Sequence, residues 1–143
     1  MTYETAFGLL NAGVLPAWAA LLLAPRWRWT QTLAVTITVA LVACAYVVIV
    51  GHALLSGEGA EGVDFTTIEG VAAIFSHPSG VVAGWAHYLA FDLFVGAWVV
   101  RDARARGAPH LLAVPAILLC FVAGPAGYLL WRLVRALRRP RRA

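Results

Sequence analysis

The 143-residue sequence contains little charge and no lysine. Charged residues make up 13% and hydrophobic residues 62%, against about 25% and about 45–50% in an average soluble domain. The mean hydropathy is +0.79. This composition excludes a soluble globular enzyme, a disordered chain and a nucleic-acid-binding protein, even though the net charge is +4. The length corresponds to one domain.

Cysteine is equally scarce, and several motifs are missing. Cys44 and Cys120 lie in apolar stretches, so they predict small buried hydrophobic side chains rather than a disulfide framework. No Cys-x-x-Cys-His, His-x-x-x-His or Glu-x-x-His pattern occurs. The N-terminus lacks the basic segment of a signal peptide, so the first apolar stretch is expected to remain in the protein. The lack of an internal repeat argues against a carrier or channel.

Four long stretches carry no charge at all, at residues 5–25, 29–57, 70–91 and 107–131. A helix needs about 20 mostly apolar residues to cross a bilayer. The sequence therefore predicts an all-α polytopic membrane protein, a single domain over 1–143 with four transmembrane helices. The expected spans are about 5–24, 31–55, 80–100 and 109–131, followed by a basic tail over 132–143.

The connection between the second and third spans is acidic and contains no arginine. Thr66-x-x-Glu69 matches a capping box, which is typical of a helix start. Apolar residues then recur at helical spacing until His77-Pro78, which is expected to end the helix. The pattern predicts a short interfacial helix between spans two and three.

The arginines conflict with a simple four-span topology. Six of the eleven lie between Arg132 and Arg142, and the other five lie in the first and third connections. Four full spans place these two groups on opposite faces, against the positive-inside rule. A re-entrant last segment, broken at Gly124-Pro125, places all eleven on one face. We favour four full spans, because the rule is statistical, and leave the orientation open. A basic tail beside a span favours anionic lipid headgroups.

Asp92 is the one charge placed deep in an expected span. It lies near the middle of 80–100, where a charged side chain costs at least about 2.5–3.5 kcal/mol. Such residues are functional by default. The alternative is a neutral, hydrogen-bonded aspartic acid that fixes helix packing. Arg101-Asp102 is expected to mark the water boundary as an ordinary anchoring pair.

His87 lies on the same span, five residues before Asp92 and about 140° away on a straight helix. Trp85, Tyr88 and Asp92 share one face, so Tyr88 is a candidate hydrogen-bond partner for Asp92. The alternative for His87 is an interfacial histidine bound to a backbone carbonyl.

Three histidines fall at one membrane face in this topology. His52 ends the second span, His77 lies in the connection and His87 is in the third span. A haem or metal site built from them is an alternative, but the spacings match no metal motif, so we expect no metal.

Residues 84–99 read Gly-Trp-Ala-His-Tyr-Leu-Ala-Phe-Asp-Leu-Phe-Val-Gly-Ala-Trp-Val. This stretch resembles the third-span signature of the abscisic-acid-deficient-four family. Ile68-Glu69-Gly70 and the stretch from Cys120 to Tyr128, with its Gly-Pro-x-Gly, are similar to the same family. The resemblance covers about residues 67–135, together with the spacing of the first two spans.

The resemblance implies carotenoid chemistry. Plant members are plastid membrane proteins required to convert violaxanthin to neoxanthin. This sequence lacks a transit peptide, so we expect a bacterial member in the cytoplasmic membrane. The expected partners are the lipid bilayer and a carotenoid or other isoprenoid lipid, with no nucleic acid. Self-association is expected to help to enclose so long a ligand.

The implied reaction opens an epoxide and removes a proton from an adjacent carbon, giving an allene and an alcohol. It is redox-neutral, so no cofactor is expected, but it needs an acid and a base. We assign these catalytic roles to Asp92 and His87 in a lipophilic pocket between the spans. The expected substrate contacts are Trp85, Tyr88, Phe91, Trp98 and His52. The alternatives are a non-catalytic pigment-binding or assembly subunit and a small haem- or metal-binding membrane protein.

Overall fold

The computed structural model describes residues 2–138, and all the regular structure in that part of the chain is helical. The prediction of an all-α protein is confirmed. The helices are α1 (Tyr3–Leu23), α2 (Thr32–Ser56), α3 (Ile68–Ala73), α4 (Pro78–Ala105), α5 (Val114–Val122) and α6 (Gly124–Leu137). Short 3-10 turns follow α3 at Ile74–Ser76 and precede α5 at His110–Leu112.

Three of these helices, α1, α2 and α4, are long and apolar enough to cross a membrane. They occupy the segments where the sequence predicts the first three spans. Helix α1 continues through Pro16. Helix α2 begins as a π-helix over Thr32–Val39 and continues as an α-helix over Ala40–Ser56.

The prediction of a single fourth span over 109–131 is not confirmed. The segment is divided at Ala123, whose φ of −159° and ψ of 89° are not helical. The backbone of Gly127 in α6 packs against the carbonyl of Ala116 and against Cys120 in α5. In one continuous helix, Ala116 and Gly127 would be about 16 Å apart along the axis. Helices α5 and α6 therefore form a hairpin, with Gly-Pro-x-Gly at its turn.

The chain separates into two compact units. The first unit comprises Met1–Val14 and Ala40–Ala90, and the second comprises Leu15–Val39 and Phe91–Ala143. The first unit contains five acidic residues and no arginine, whereas all eight arginines of the described residues belong to the second. The bilayer-length helices α1, α2 and α4 each contribute to both units.

Helix α3, in the first unit, begins one residue later than the capping-box pattern predicts. Thr67 is the N-cap, and its Oγ1 accepts a hydrogen bond of 3.0 Å from the Gly70 N–H. The Thr66 N–H and hydroxyl instead donate to Asp64 Oδ1, at 2.8 and 2.7 Å. The backbone of Asp64 lies so close to Gly70 that a Cβ at position 70 would overlap it. The 3-10 turn after α3 ends at Ser76 and His77 is extended, as the sequence predicts. Helix α4 begins at Pro78, two residues before the predicted span.

Candidate functional site

Asp92 lies in the second unit, at the turn of the hairpin. Its side chain is 5% exposed. Oδ1 accepts a hydrogen bond of 3.1 Å from the backbone N–H of Gly124, the first residue of α6. The first N–H groups of a helix have no partner within the helix, and the helix dipole favours a carboxylate there. A Cβ at position 124 would overlap the Asp92 carboxylate, so this approach requires glycine.

The second glycine of the motif brings α5 and α6 together. A Cβ on Gly127 would overlap the Cys120 sulfur and the Ala116 carbonyl. Cys120 is buried, as predicted, and its thiol lies 3.8 Å from the Gly124 carbonyl oxygen. Cys44 is exposed on α2, so the prediction of burial is wrong for this residue.

Helix α6 runs beside the second half of α4 in the same direction. Gly124 binds Asp92 near the middle of α4, and Trp131 binds Asp102 near its end, through an indole N–H donated to Oδ2 at 2.9 Å. Arg135 Nη1 lies 3.4 Å from both Asp102 carboxylate oxygens, and Arg106 Nε donates to Oδ2 at 2.9 Å.

Sequence reasoning missed this role of Asp102, which it described as an ordinary anchoring residue. The available signal is Trp131 with Arg135 four residues later, because indole and guanidinium groups are the donors that a carboxylate binds at a membrane boundary.

Two of the predicted substrate contacts also belong to the second unit. Trp98 is half-buried, and its ring lies 5.2 Å from that of Tyr128 in α6. Phe91 is 58% exposed and is therefore available to a ligand in the hydrocarbon.

Two of the predicted residues of the first unit, Trp85 and Tyr88, belong to an aromatic cluster around the half-buried amide of Asn11. The Trp85 indole N–H donates to Asn11 Oδ1 at 3.0 Å, and Asn11 Nδ2 donates to the Phe7 carbonyl at 2.8 Å. The Trp85 ring stacks on Tyr88, with centroids 5.2 Å apart, and packs against Phe7 at 5.5 Å. Asn11 is a site residue that sequence reasoning missed, although it is the only amide in the first charge-free stretch.

His87 and His52 are exposed residues of the first unit. The His87 ring lies 5.8 Å from that of Tyr46 on α2. His87 and Asp92 share α4 but belong to different units. His77 accepts a hydrogen bond of 3.2 Å from the Ser79 N–H through Nδ1. Among the described residues, no three histidine, cysteine or acidic side chains are grouped as a metal site requires, so the three-histidine alternative has no geometric support.

A cavity of about 400 Å³ opens in the first unit, between the starts of α1 and α4 and the turn after α3. Its walls include Tyr3, Phe7, Phe75 and Val82, and its polar groups include Glu4 and His77. Ligand pockets typically combine apolar walls with a few polar groups in this way. None of the seven site residues predicted from the sequence lines it.

Comparison with protein families identifies the family of this chain. The model of the family described as ABA DEFICIENT 4-like matches residues 5–131. The chain belongs to the ABA DEFICIENT 4-like family. The resemblance predicted from the third span is therefore confirmed, and it extends over α1, α2 and the hairpin as far as Trp131. With its three apolar helices, this ABA DEFICIENT 4-like protein is an integral membrane protein. Comparisons with curated proteins and with solved structures gave no match.

Proposed function

We propose that this ABA DEFICIENT 4-like protein isomerises a carotenoid, or another long isoprenoid epoxide, in a bacterial cytoplasmic membrane. The observation that carries the proposal is Asp92, a buried carboxyl group in the middle of α4 that accepts a hydrogen bond from the first residue of α6. Ionisable residues at this depth are costly and are retained at functional sites. Membership of the ABA DEFICIENT 4-like family supports a neoxanthin-synthase-related chemistry.

The proposed reaction needs one acid and one base. Asp92 donates a proton to the epoxide oxygen as the C–O bond breaks, and the oxygen becomes an alcohol. His87 removes a proton from the adjacent carbon, whose electron pair forms the second double bond of an allene. Release of the proton from His87 and reprotonation of Asp92 restore both groups. The product is an isomer of the substrate, and each group contributes typically 10²–10⁴-fold.

The exposed side chains suit a substrate that arrives from the lipid. His87 and Phe91 are open to the hydrocarbon phase, so a lipid-soluble molecule reaches them without entering water. Stacked Trp85 and Tyr88 offer flat rings to a conjugated chain, and we assign Trp98 and His52 to the same ligand. The aromatic cavity beside His77 has room for a cyclic end group of such a chain.

The test is conversion in a bacterial host that accumulates an epoxidised xanthophyll. The extracted pigments are separated by chromatography, and their molecular masses are measured by mass spectrometry. The expected product has the substrate's mass and a new retention time. Asp92→Asn and His87→Gln should each reduce conversion at least about 100-fold. Asp64→Asn, a carboxylate in the exposed connection, is the matched control and should convert normally.

Other outcomes reject the proposal. A purified protein that carries the host's own pigment unchanged acts as a pigment-binding or assembly subunit. A sharp Soret band identifies a haem protein. Full conversion by Asp92→Asn, at equal protein content, assigns Asp92 to helix packing alone.

We further propose a topology of three crossings, by α1, α2 and α4, with the α5–α6 hairpin re-entrant. Contacts of Trp131 and Arg135 with Asp102 support this topology, because they return α6 to the face at which α4 ends. The arginine-containing connections and the start of the tail then share that face, which the positive-inside rule makes cytoplasmic. Exposed Phe65 and Ile68 support a position for α3 at the membrane interface.

A further inference from the structure

A second cavity, of about 600 Å³, lies in the second unit between the α1–α2 connection and the C-terminal end of α4. Pro25, Arg26, Arg104, Gly107 and His110 are among its lining residues. The proposed isomerisation uses none of them.

Hydrogen bonds fix the walls of this cavity. Arg104 Nη1 donates to the Pro25 carbonyl at 3.0 Å, and His110 Nε2 donates to the Leu22 carbonyl at 3.0 Å. Gly107, with φ of 59°, reverses the chain after α4. Its N–H donates to the Arg104 carbonyl at 3.0 Å, and the Ala108 N–H donates to the Ala103 carbonyl at 2.9 Å. This is a Schellman motif, in which the left-handed position favours glycine.

The charge of the cavity is positive. Within the described residues 2–138, Arg26 and Arg104 line it and no acidic residue does. Asp102, which directly precedes the lining residue Ala103 in the chain, is bound by Trp131, Arg106 and Arg135, so its charge is already compensated. Two guanidinium groups without a carboxylate favour an anion, above all a phosphate, whose oxygens match their paired N–H donors.

Two tryptophans close to Arg26 in the sequence indicate the depth of the cavity in the membrane. Trp27 and Trp29 lie within three residues after Arg26 and are 51% and 47% exposed. Tryptophans in this pattern occupy the membrane–water interface, the level of the phospholipid headgroups. We propose that the cavity binds the phosphodiester headgroup of an anionic phospholipid, with Arg26 and Arg104 as the phosphate ligands. This site does not depend on the proposed isomerisation.

The test compares two charge-matched double variants of the full chain. Thermal unfolding is recorded in neutral detergent at 0.3 M salt, which screens diffuse attraction, while phosphatidylglycerol or phosphatidylcholine is titrated. Phosphatidylglycerol should raise the Tm of the unsubstituted protein and phosphatidylcholine should not. The pair Arg26→Gln and Arg104→Gln should weaken phosphatidylglycerol binding about fivefold for each arginine and about 25-fold together.

The control pair is Arg28→Gln with Arg101→Gln. It removes the same charge from the same connection and the same helix, from side chains that neither line the cavity nor bind Asp102. This pair should keep most of the phosphatidylglycerol effect. Because Arg104→Gln also removes the bond to Pro25, Arg26→Gln alone is tested as well, with an expected loss of about fivefold.

Three results overturn the proposal. Equal losses in the two pairs indicate diffuse attraction to the membrane surface. Equal Tm shifts with the two lipids show that the cavity does not select an anionic headgroup over a zwitterionic one. Inorganic phosphate that reproduces the Tm shift, with the same dependence on Arg26, assigns the cavity to a free anion and not to a lipid.

Discussion

At the scale of single residues, the hairpin glycines are specified by the atoms they approach. Gly124→Ala places a methyl group against the Asp92 carboxylate, and such overpacking typically costs about 1–3 kcal/mol. We expect Gly124→Ala to have a lower Tm than the unsubstituted protein when both unfold in neutral detergent. Gly13→Ala is the matched control, because a Cβ there meets no atom within 4 Å. That variant should be as stable as the parent, or more stable by up to about 1 kcal/mol. Equal effects at the two positions would contradict the packing described for Gly124.

The hydrogen bonds of Asp64 lead to a prediction about the pKa of its carboxyl group. The backbone N–H and hydroxyl of Thr66 donate to its carboxylate and hold its pKa below the ordinary value of 3.8. A carboxyl with a lowered folded-state pKa stabilises the fold above its unfolded pKa, and this contribution is lost as the pH falls through the folded pKa. Thr66→Val removes the hydroxyl donor and should raise the pKa of Asp64 towards 3.8.

The measurement is an NMR titration of the Asp64 carboxyl carbon below pH 5. Thr36→Val, in the π-helical part of α2, is the control and should leave the titration unchanged. An unshifted Asp64 in Thr66→Val would mean that the backbone donor alone sets the pKa.

Residue identities could be predicted from the sequence more readily than their partners. Asp92 is conspicuous because it is a lone charge in an apolar stretch. Its bond to Gly124 could not be predicted, because Gly124 lies 32 residues further along the chain, after a turn whose direction no periodicity encodes. The partner of Asn11 could not be predicted either, since Trp85 lies 74 residues further along the chain.

At the scale of elements, the cluster formed by Asp102, Arg106, Trp131 and Arg135 holds the end of α6 beside α4. Trp131→Phe keeps an aromatic ring but removes the indole donor to a partly buried carboxylate, which typically costs about 1–3 kcal/mol. Arg106→Gln removes an exposed partner four residues away on the same helix, a pair worth about 0.3–0.5 kcal/mol. Thermal unfolding should therefore show a clearly larger loss for Trp131→Phe. A larger loss for Arg106→Gln would show that the surface ion pair, not the indole, holds the cluster.

Length and apolarity predicted α1, α2 and α4 because these helices are single uninterrupted elements. The last segment satisfies the same criteria, yet it forms a hairpin. A Gly-Pro pair interrupts a helix in many contexts, and only the close packing of Gly127 on Ala116 determines that the chain reverses. The sequence predicts the cap of α3 one residue early because Thr66 and Thr67 are both suitable caps, and Thr66 instead donates to Asp64.

At the scale of the whole molecule, the proposed three-crossing topology predicts that the two termini lie on opposite sides of the membrane. A fluorescent protein that folds only in the cytoplasm is fused to either end of the chain. The C-terminal fusion should fluoresce and the N-terminal fusion should not. Four full spans predict the same result at both ends, so two fluorescent fusions, or two dark ones, would refute the re-entrant hairpin.

The partition of charge between the units has a consequence for insertion of the chain. In the proposed topology, the long polar connection that must leave the cytoplasm carries Glu58, Glu61, Asp64 and Glu69 and no arginine. A membrane potential that is negative inside drives negative charge outwards, by about 2.3 kcal/mol per charge for each 100 mV. For four carboxylates the driving force is about 9 kcal/mol per 100 mV. The membrane potential would thus drive the acidic connection outwards and hold the arginine-containing connections in the cytoplasm.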